Sequence, residues 1–309
     1  ADISMADLRS LGEDIIAKEV EVQNRSQGLA VIGVMRLGAT PEAVHQALAT
    51  INQEMVGVEE SSVKALNLIP QPAGEEEFAA FEFTKTEKKA LESCELGSCR
   101  VKLTAALIDK VAELDYDWED DADAFTGLYR AALSEYARGY QQSGNAALWT
   151  YGDKPEPLEV LDGFKRAVAE SQTTVDILPE VVDYLFEYPG KNLEGAEDFF
   201  FWSVLDFGQR PTLTINHAVS YRPQYADLDH VFVIKNIYAN HYFGGRLSVG
   251  VLLEEGAMGL PGRYYVLIDH LQFDGELNRF LRRMLSGGIV DDVENRMRLI
   301  RKVVLANQG

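Results

Sequence analysis

The chain has 309 residues, 46% of them hydrophobic, with 14 Phe, 13 Tyr and 3 Trp. That is enough apolar mass for one large core or two ordinary ones, and too much for a disordered chain. Its 49 acidic and 29 basic residues leave a formal charge of −20, so on average it repels nucleic-acid phosphates and anionic lipid surfaces, and no apolar run approaches the roughly 18 residues of a membrane-spanning helix.

The start Ala1-Asp2-Ile3, without an initiator Met, is what a mature chain shows after removal of a signal peptide, and equally what a trimmed chain shows. Residues 4–20 read as a helix carrying Leu8, Leu11, Ile15 and Ile16 on one side. Leu29 to Leu37 is an apolar run of strand length. Thr40 then serves as an N-cap, Pro41 as the first helical residue, and Val44, Leu48 and Ile51 as one helical face. Val63–Ile69 and Phe78–Thr84 are the next expected strands, joined by a turn through the acidic stretch PQPAGEEE.

From about 86 to 195 the chain is mainly helical. Phe125, Leu128, Tyr129, Ala132, Leu133, Tyr136 and Tyr140 form a broad apolar stripe that breaks at Gly144-Asn145, and further helices are expected near Leu158–Glu170 and Leu178–Phe186. Cys94 and Cys99 flank Gly97, which can turn the chain so that the sulfurs meet. A disulfide there would stabilise by about 2 kcal/mol and imply an oxidising compartment, periplasmic or secreted, whereas two free thiols would suit the cytosol. Four strands follow, Thr212–Tyr221, Val231–Phe243, Leu247–Leu253 and Tyr264–Leu271, in the spacing of an antiparallel meander. A final helix from about Gly275 to Leu305 carries seven basic residues in this acidic chain, with a kink or break expected at Gly287-Gly288.

The run Thr40, Pro41, Glu42, Ala43, Val44 and Leu48, placed between a first strand and a later antiparallel sheet with a long closing helix, resembles the START-like, or helix-grip, superfamily. The resemblance covers roughly residues 28–85 and 210–305. It implies an α+β fold in which a curved antiparallel sheet grips the long C-terminal helix around an apolar cavity. The central helical stretch departs from that plan and is expected as an insertion. The organisation is then an N-terminal helix and lead-in over 1–27 and a single domain over 28–309 with a helical insertion at about 86–195. Independently of the resemblance, a curved sheet around one helix encloses more space than the helix fills, which suits an apolar ligand.

The short chemical motifs are incomplete. Asp206-Phe207-Gly208 lacks the other parts of a kinase. The cluster Asp115, Asp117, Glu119, Asp120, Asp121 and Asp123 has Asp120 and Thr126 where a calcium loop needs Gly and Glu, and reads as the acidic entry to a helix. His217, His241 and His270 fall on three neighbouring strands, where they would bind a metal or act as a base, or make ordinary sheet hydrogen bonds. No catalytic, metal or cofactor-binding set is assigned.

The stretch Phe232–Val251 mixes polar and aromatic residues on both faces. With strict alternation, Val233, Lys235, Ile237, Ala239, His241 and Phe243 share one face, and Phe232, Ile234, Asn236, Tyr238, Asn240 and Tyr242 the other. Cavity lining, sheet surface under the insertion, and catalysis all fit this composition. The preferred reading is cavity lining: Tyr238, Asn240, His241, Tyr242 and Phe243 as ligand-binding residues, with Phe201 and Trp202 as an entrance lip or core segment. The expected function is non-enzymatic binding or transport of a lipid or other hydrophobic molecule, with transient membrane or protein contact. The alternatives are a cyclase or hydrolase using the same cavity, and a partner-binding module docking through the insertion.

Overall fold

In a computed structural model, residues 3–38, 40, 42–44, 63–114, 117–206, 210–224 and 227–306 are described. Eight strands form one curved antiparallel sheet: β1 (Ile15–Val20), β2 (Gly28–Leu37), β3 (Val63–Ile69), β6 (Glu197–Leu205), β7 (Thr212–Tyr221), β8 (Leu228–Ala239), β9 (Phe243–Leu253) and β10 (Arg263–Phe273). Their spatial order is β1-β2-β10-β9-β8-β7-β6-β3, so the early strand β2 lies beside the last strand and β3 lies at the far edge. The expected α+β architecture, a curved antiparallel sheet with a long C-terminal helix packed on it and helices in between, is the observed one. Residues 42–44 are helical, as the Thr40 cap predicts; Leu48 and Ile51 lie outside the described residues.

Two layers cover the sheet. On one side the final helix (Arg279–Ala306) packs against β1 and β2, burying Leu285, Ile289, Val293, Met297, Ile300 and Val304 with Val31, Met35, Tyr265 and Leu267 of the strands. It runs unbroken through Gly287-Gly288, where a kink was expected. Its crossing point is Gly33 of β2, where a Cβ would stand 2.4 Å from Met297 Sδ and 2.6 Å from Val293 Cγ1. On the other side lies everything between β3 and β6. There the helices, numbered after a short α1 (Met5–Ser10), are α2 (Lys85–Leu91), α3 (Ala105–Glu113), α4 (Ala122–Ser143), α5 (Val160–Glu170), α6 (Gln172–Ile177) and α7 (Pro179–Glu187), with a small ribbon of β4 (Thr150–Tyr151) and β5 (Leu158–Glu159). The final helix is α8. Helix α5 presses on β8, β9 and β10. It comes so close that a Cβ on Gly163 would stand 1.6 Å from the Gly244 carbonyl oxygen. Gly244-Gly245 is part of strand β9 at a close crossing, in the gap between the expected strands Val231–Phe243 and Leu247–Leu253.

Three local expectations change. Residues 15–20 form an edge strand on β2, because Ile15, Ile16 and Val20 are β-branched and gain a ladder that an isolated helix turn lacks. Phe78–Thr84 forms no strand: Phe78, Phe81 and Phe83 are buried, but their backbone turns back on itself, with Ala79 N donating to Glu76 O and Phe81 N to Phe78 O. Their alternation comes from packing under α4, with Phe83 4.8 Å from the Tyr129 ring. Strand β6 of the large sheet was not among the expected strands. Its run of aromatics looks too apolar for a strand with one wet face, but here both faces are dry. Phe200 and Trp202 bury on the insertion side and Phe201 on the helix side.

The stripe of α4 faces the sheet through Phe125, Tyr129, Leu133, Tyr136 and Tyr140, while Leu128 stays 43% exposed. Replacing Leu133, which is fully buried, with Ala is expected to cost about 2–5 kcal/mol, read as a lower denaturation midpoint; an unchanged midpoint contradicts this packing. Cys94 and Cys99 are joined as a disulfide. Neither is expected to react with an alkylating reagent until a reductant is added, and rapid labelling of both in denaturant without reductant would overturn the pairing.

Candidate functional site

Polar side chains on this sheet divide between its two faces, and a bulge decides which goes where. Ile215 of β7 pairs with Tyr238, yet the next residue, Asn216, pairs with Asn236, leaving Ile237 as the extra residue. Ile237 and Tyr238 both join the cluster on the insertion side, and Ala239 passes to the helix side. Strict alternation thus holds only up to Asn236. The Asn236 amide secures the irregularity, donating to Ile215 O at 3.1 Å and Tyr238 O at 2.8 Å.

The residues singled out from the sequence do not line one space. Tyr238 is fully buried under the insertion: its hydroxyl meets the Tyr129 hydroxyl at 2.6 Å and donates to Lys102 O at 2.8 Å, and Trp149 and Tyr151 pack edge-on to its ring. Burial holds its phenol protonated, with a pKa well above the ordinary value, and the neighbouring Tyr129 adds to this. Trp202 shares that side, its indole N–H donating to Glu77 O at 2.7 Å. Phe201 and Phe243 belong to the helix side, and Tyr242 packs there half-buried. Asn240 and His241 occupy the β8–β9 turn, where Glu87 of α2 takes both: Oε1 is 2.7 Å from His241 Nε2 and 3.3 Å from Asn240 Nδ2. The other Glu87 oxygen caps α2 through Thr84. Burial would raise the Glu87 pKa, but the hydrogen bond and charge of His241 and the Thr84 contacts outweigh it and keep the carboxyl below its usual range.

On the insertion side every such group serves the junction between insertion and sheet. Tyr136 donates to Ile237 O at 2.5 Å, Ala239 N donates to the Tyr151 hydroxyl at 3.1 Å, and His217 meets the Tyr140 hydroxyl through Nδ1 at 3.0 Å and Asp198 through Nε2 at 2.8 Å. Both His217 nitrogens are engaged and its ring is fully buried. Burial lowers its pKa despite Asp198, so it has no free nitrogen to act as a base. His270 is likewise held neutral, its pKa lowered to about 4 by burial. The three strand histidines do not converge; among the described residues no group of three or more His, Cys, Asp or Glu is placed to hold a metal ion.

The helix side carries a different set, absent from the sequence reading. Ser203, Thr214, Asn216, Asn236, Arg246, Ser248 and Asp269 are all buried. They occupy the positions that alternate with the insertion-facing residues, so they form a polar belt across β6 to β10 on an otherwise apolar face. Ser203 and Thr214 hydroxyls meet at 2.8 Å, Asn216 Nδ2 donates to Thr214 at 3.0 Å, and Asn236 Nδ2 reaches Asn216 at 3.2 Å. Arg246 then grips Asp269 with two parallel bonds, and Ser248 donates to the same carboxylate at 2.7 Å. Helix α8 adds Asp292 and Arg296, paired at 2.9 Å. Burial would raise the Asp269 pKa, but Arg246, Arg296 and Ser248 outweigh it and keep the carboxylate charged. Buried Arg296 Nε has no hydrogen-bond partner among the described residues.

No family model, curated protein or solved structure matches this chain. The belt must therefore be read from its own chemistry. It offers fixed donors and acceptors at the base of an apolar layer, a combination that orients a polar group of a mainly apolar molecule. The sequence contained one signal for it: Asn216, Arg246, Ser248 and Asp269 are polar residues within otherwise apolar strands, with Arg246 and Ser248 two positions apart. That pattern also describes a solvent-facing side, and only the placement of α8 separates the two.

Lys235 is the clearest titrating group. It is fully buried on the insertion side, its ammonium bonded to the neutral acceptors Asn145 Oδ1 and Leu185 O and lying over the Phe164 ring at 4.4 Å, with no carboxylate partner among the described residues. Burial lowers its pKa to about 7, against about 10.4 in an unfolded chain. Between these values the unfolded state binds more protons, so the Lys235 contribution to stability rises with pH from about 7 toward 10. The wild type is expected to gain stability relative to Lys235→Met as pH rises from 7 to 9.5, below the range where unfolded tyrosines ionise. Parallel stability-versus-pH curves for the two proteins would contradict this.

Proposed function

We propose that this chain binds and carries a lipid or other hydrophobic small molecule between the sheet and its C-terminal helix, in the periplasm or another secreted space. One observation carries the reading: a belt of buried polar side chains crosses the apolar helix side of the sheet, from Ser203 to Asp269, and meets Arg296, whose Nε–H has no acceptor among the described residues. A buried polar group without a partner costs about 1–3 kcal/mol. The belt residues bond one another, and Arg296 Nε, which has no acceptor among the described residues, carries that cost; a polar head seated there would repay it. The strand order supports a START-like reading of the fold. Seven strands run β2-β10-β9-β8-β7-β6-β3, with the first beside the last and the closing helix on one face. The disulfide fits an oxidising compartment, and no described helix is long and apolar enough to cross a membrane.

A second reading, hydrolysis in the same space, is favoured by one contact. On the helix side Ser220 Oγ lies 2.6 Å from His230 Nε2, the distance of a nucleophile from its base. Ester turnover that Ser220→Ala abolishes would select it.

The test of carriage is displacement of a fluorescent fatty acid, together with mass spectrometry of lipid extracted from the purified chain. Asn216→Leu and Thr214→Val remove belt groups with little change of volume, and each is expected to weaken binding of a polar-headed ligand roughly five- to tenfold, on the order of 1 kcal/mol. A wild-type chain that binds no apolar probe and co-purifies with no lipid refutes the reading.

A further inference from the structure

The first turns of α8 present a surface that the rest of this acidic chain does not. Phe280 is 78% exposed, more than any other large hydrophobic residue described. Arg283, three residues on, shares its face of the helix, Arg279 immediately precedes it, and both are exposed. Neither makes an ion pair among the described residues, and nor does exposed Arg25 in the β1–β2 loop at the same end. A single exposed apolar residue is ordinary. An exposed Phe among unpaired arginines, on a chain of net charge −20, is a local reversal of both polarity and charge.

Two nearby acids are paired elsewhere, Glu19 with Arg282 and Ser286 and Asp274 with Lys102 and Lys154. Glu170 accepts from the backbone N–H groups of Gln23 and Asn24, and Glu21 and Glu276 are exposed. The turn is also held in place. Arg282 donates to Arg25 O at 2.7 Å and Gly28 O at 2.6 Å, and Asn278 caps the helix by accepting from Leu281 N at 2.9 Å. With the helix anchored on that side, Phe280 is kept pointing outward. Leu277 and Leu281 flank it half-buried and join the apolar cluster between α8 and the sheet, next to Phe243 and Phe273. The exposed patch is therefore continuous with the proposed binding space.

We propose that this end of α8 docks on an anionic membrane surface, Phe280 entering the headgroup boundary while Arg279, Arg283 and Arg25 face lipid phosphates. An interfacial anchor of this kind combines apolar burial with attraction to anionic lipid, and the net negative charge of the remaining chain keeps its other faces off acidic surfaces. The purpose of the contact, exchange of a lipid, rests on the carriage reading; the contact itself does not.

Vesicle flotation tests it, with phosphatidylcholine alone and with an equal mixture of phosphatidylcholine and phosphatidylglycerol, at low and high salt. The wild type is expected to float with the anionic vesicles at low salt, to release at high salt and to ignore pure phosphatidylcholine. Phe280→Ser and the double variant Arg279→Gln with Arg283→Gln are each expected to lose about tenfold in vesicle affinity, with unchanged melting temperatures because the residues are exposed. Absence of vesicle binding by the wild type, or binding retained by both variants, overturns the proposal. So does retention on an acidic polymer without vesicle binding, which marks a surface for polyanions. Fatty-acid displacement on the same samples separates the two readings. Vesicle binding without probe binding keeps the docking and removes carriage, and probe binding without vesicle binding does the reverse.

Discussion

Strands β6 to β10 have protein on both sides, and this double coverage sets the terms for everything else. In a sheet with one wet face, polar residues at alternate positions are solvated without cost. Here they are not, and each must find a partner inside. The insertion supplies those partners on one side: Tyr129 for Tyr238, Tyr140 for His217, Asn145 for Lys235 and Glu87 for His241. The polar content of the central strands, which looked like a site, is on that side the joint between two layers. Its cost when broken exceeds its gain when made, so it acts mainly to specify one way of seating the insertion.

Close approach is the second condition of that joint. Gly163 of α5 and Gly244-Gly245 of β9 meet with no room for a Cβ between them, and Gly33 does the same for α8 on the opposite face. A sheet clamped between two helices through glycines has little freedom to shift. The bulge at Ile237 then assigns Tyr238 to one layer and Ala239 to the other.

The helix side is where polar groups exceed what packing requires. Arg246, Asp269 and Ser248 satisfy one another, and Asp292 partly satisfies Arg296. Burying two arginines and two aspartates costs more in desolvation than a hydrophobic substitute would, and that excess is what the carriage proposal addresses. The same helix carries that cluster at its middle and the exposed Phe280 at its start. If both proposals hold, one element links a membrane contact to the ligand space.

The sequence by itself determined the element types wherever a period was strong and a boundary was marked by chemistry. The α4 stripe up to Gly144, the β7 strand, the long final helix and the disulfide between Cys94 and Cys99 were all legible, because helix spacing, turn residues and loop closure are local properties. That a curved antiparallel sheet would hold the last helix was implied by the family resemblance and not by local pattern, and the structure has that arrangement. What only the tertiary structure decided was which layer each polar residue serves. Lys235, Asn236 and Tyr238 are neighbours in sequence, and nothing local distinguishes a solvent face from a face covered by residues 50 and 90 positions away. Strand β6 was missed for the same reason, since its aromatics are legible as a strand only once both faces are known to be dry. The belt from Ser203 to Asp269 exists only across five strands, and a register spanning five strands is set by pairing and by one bulge, neither of which a linear pattern contains.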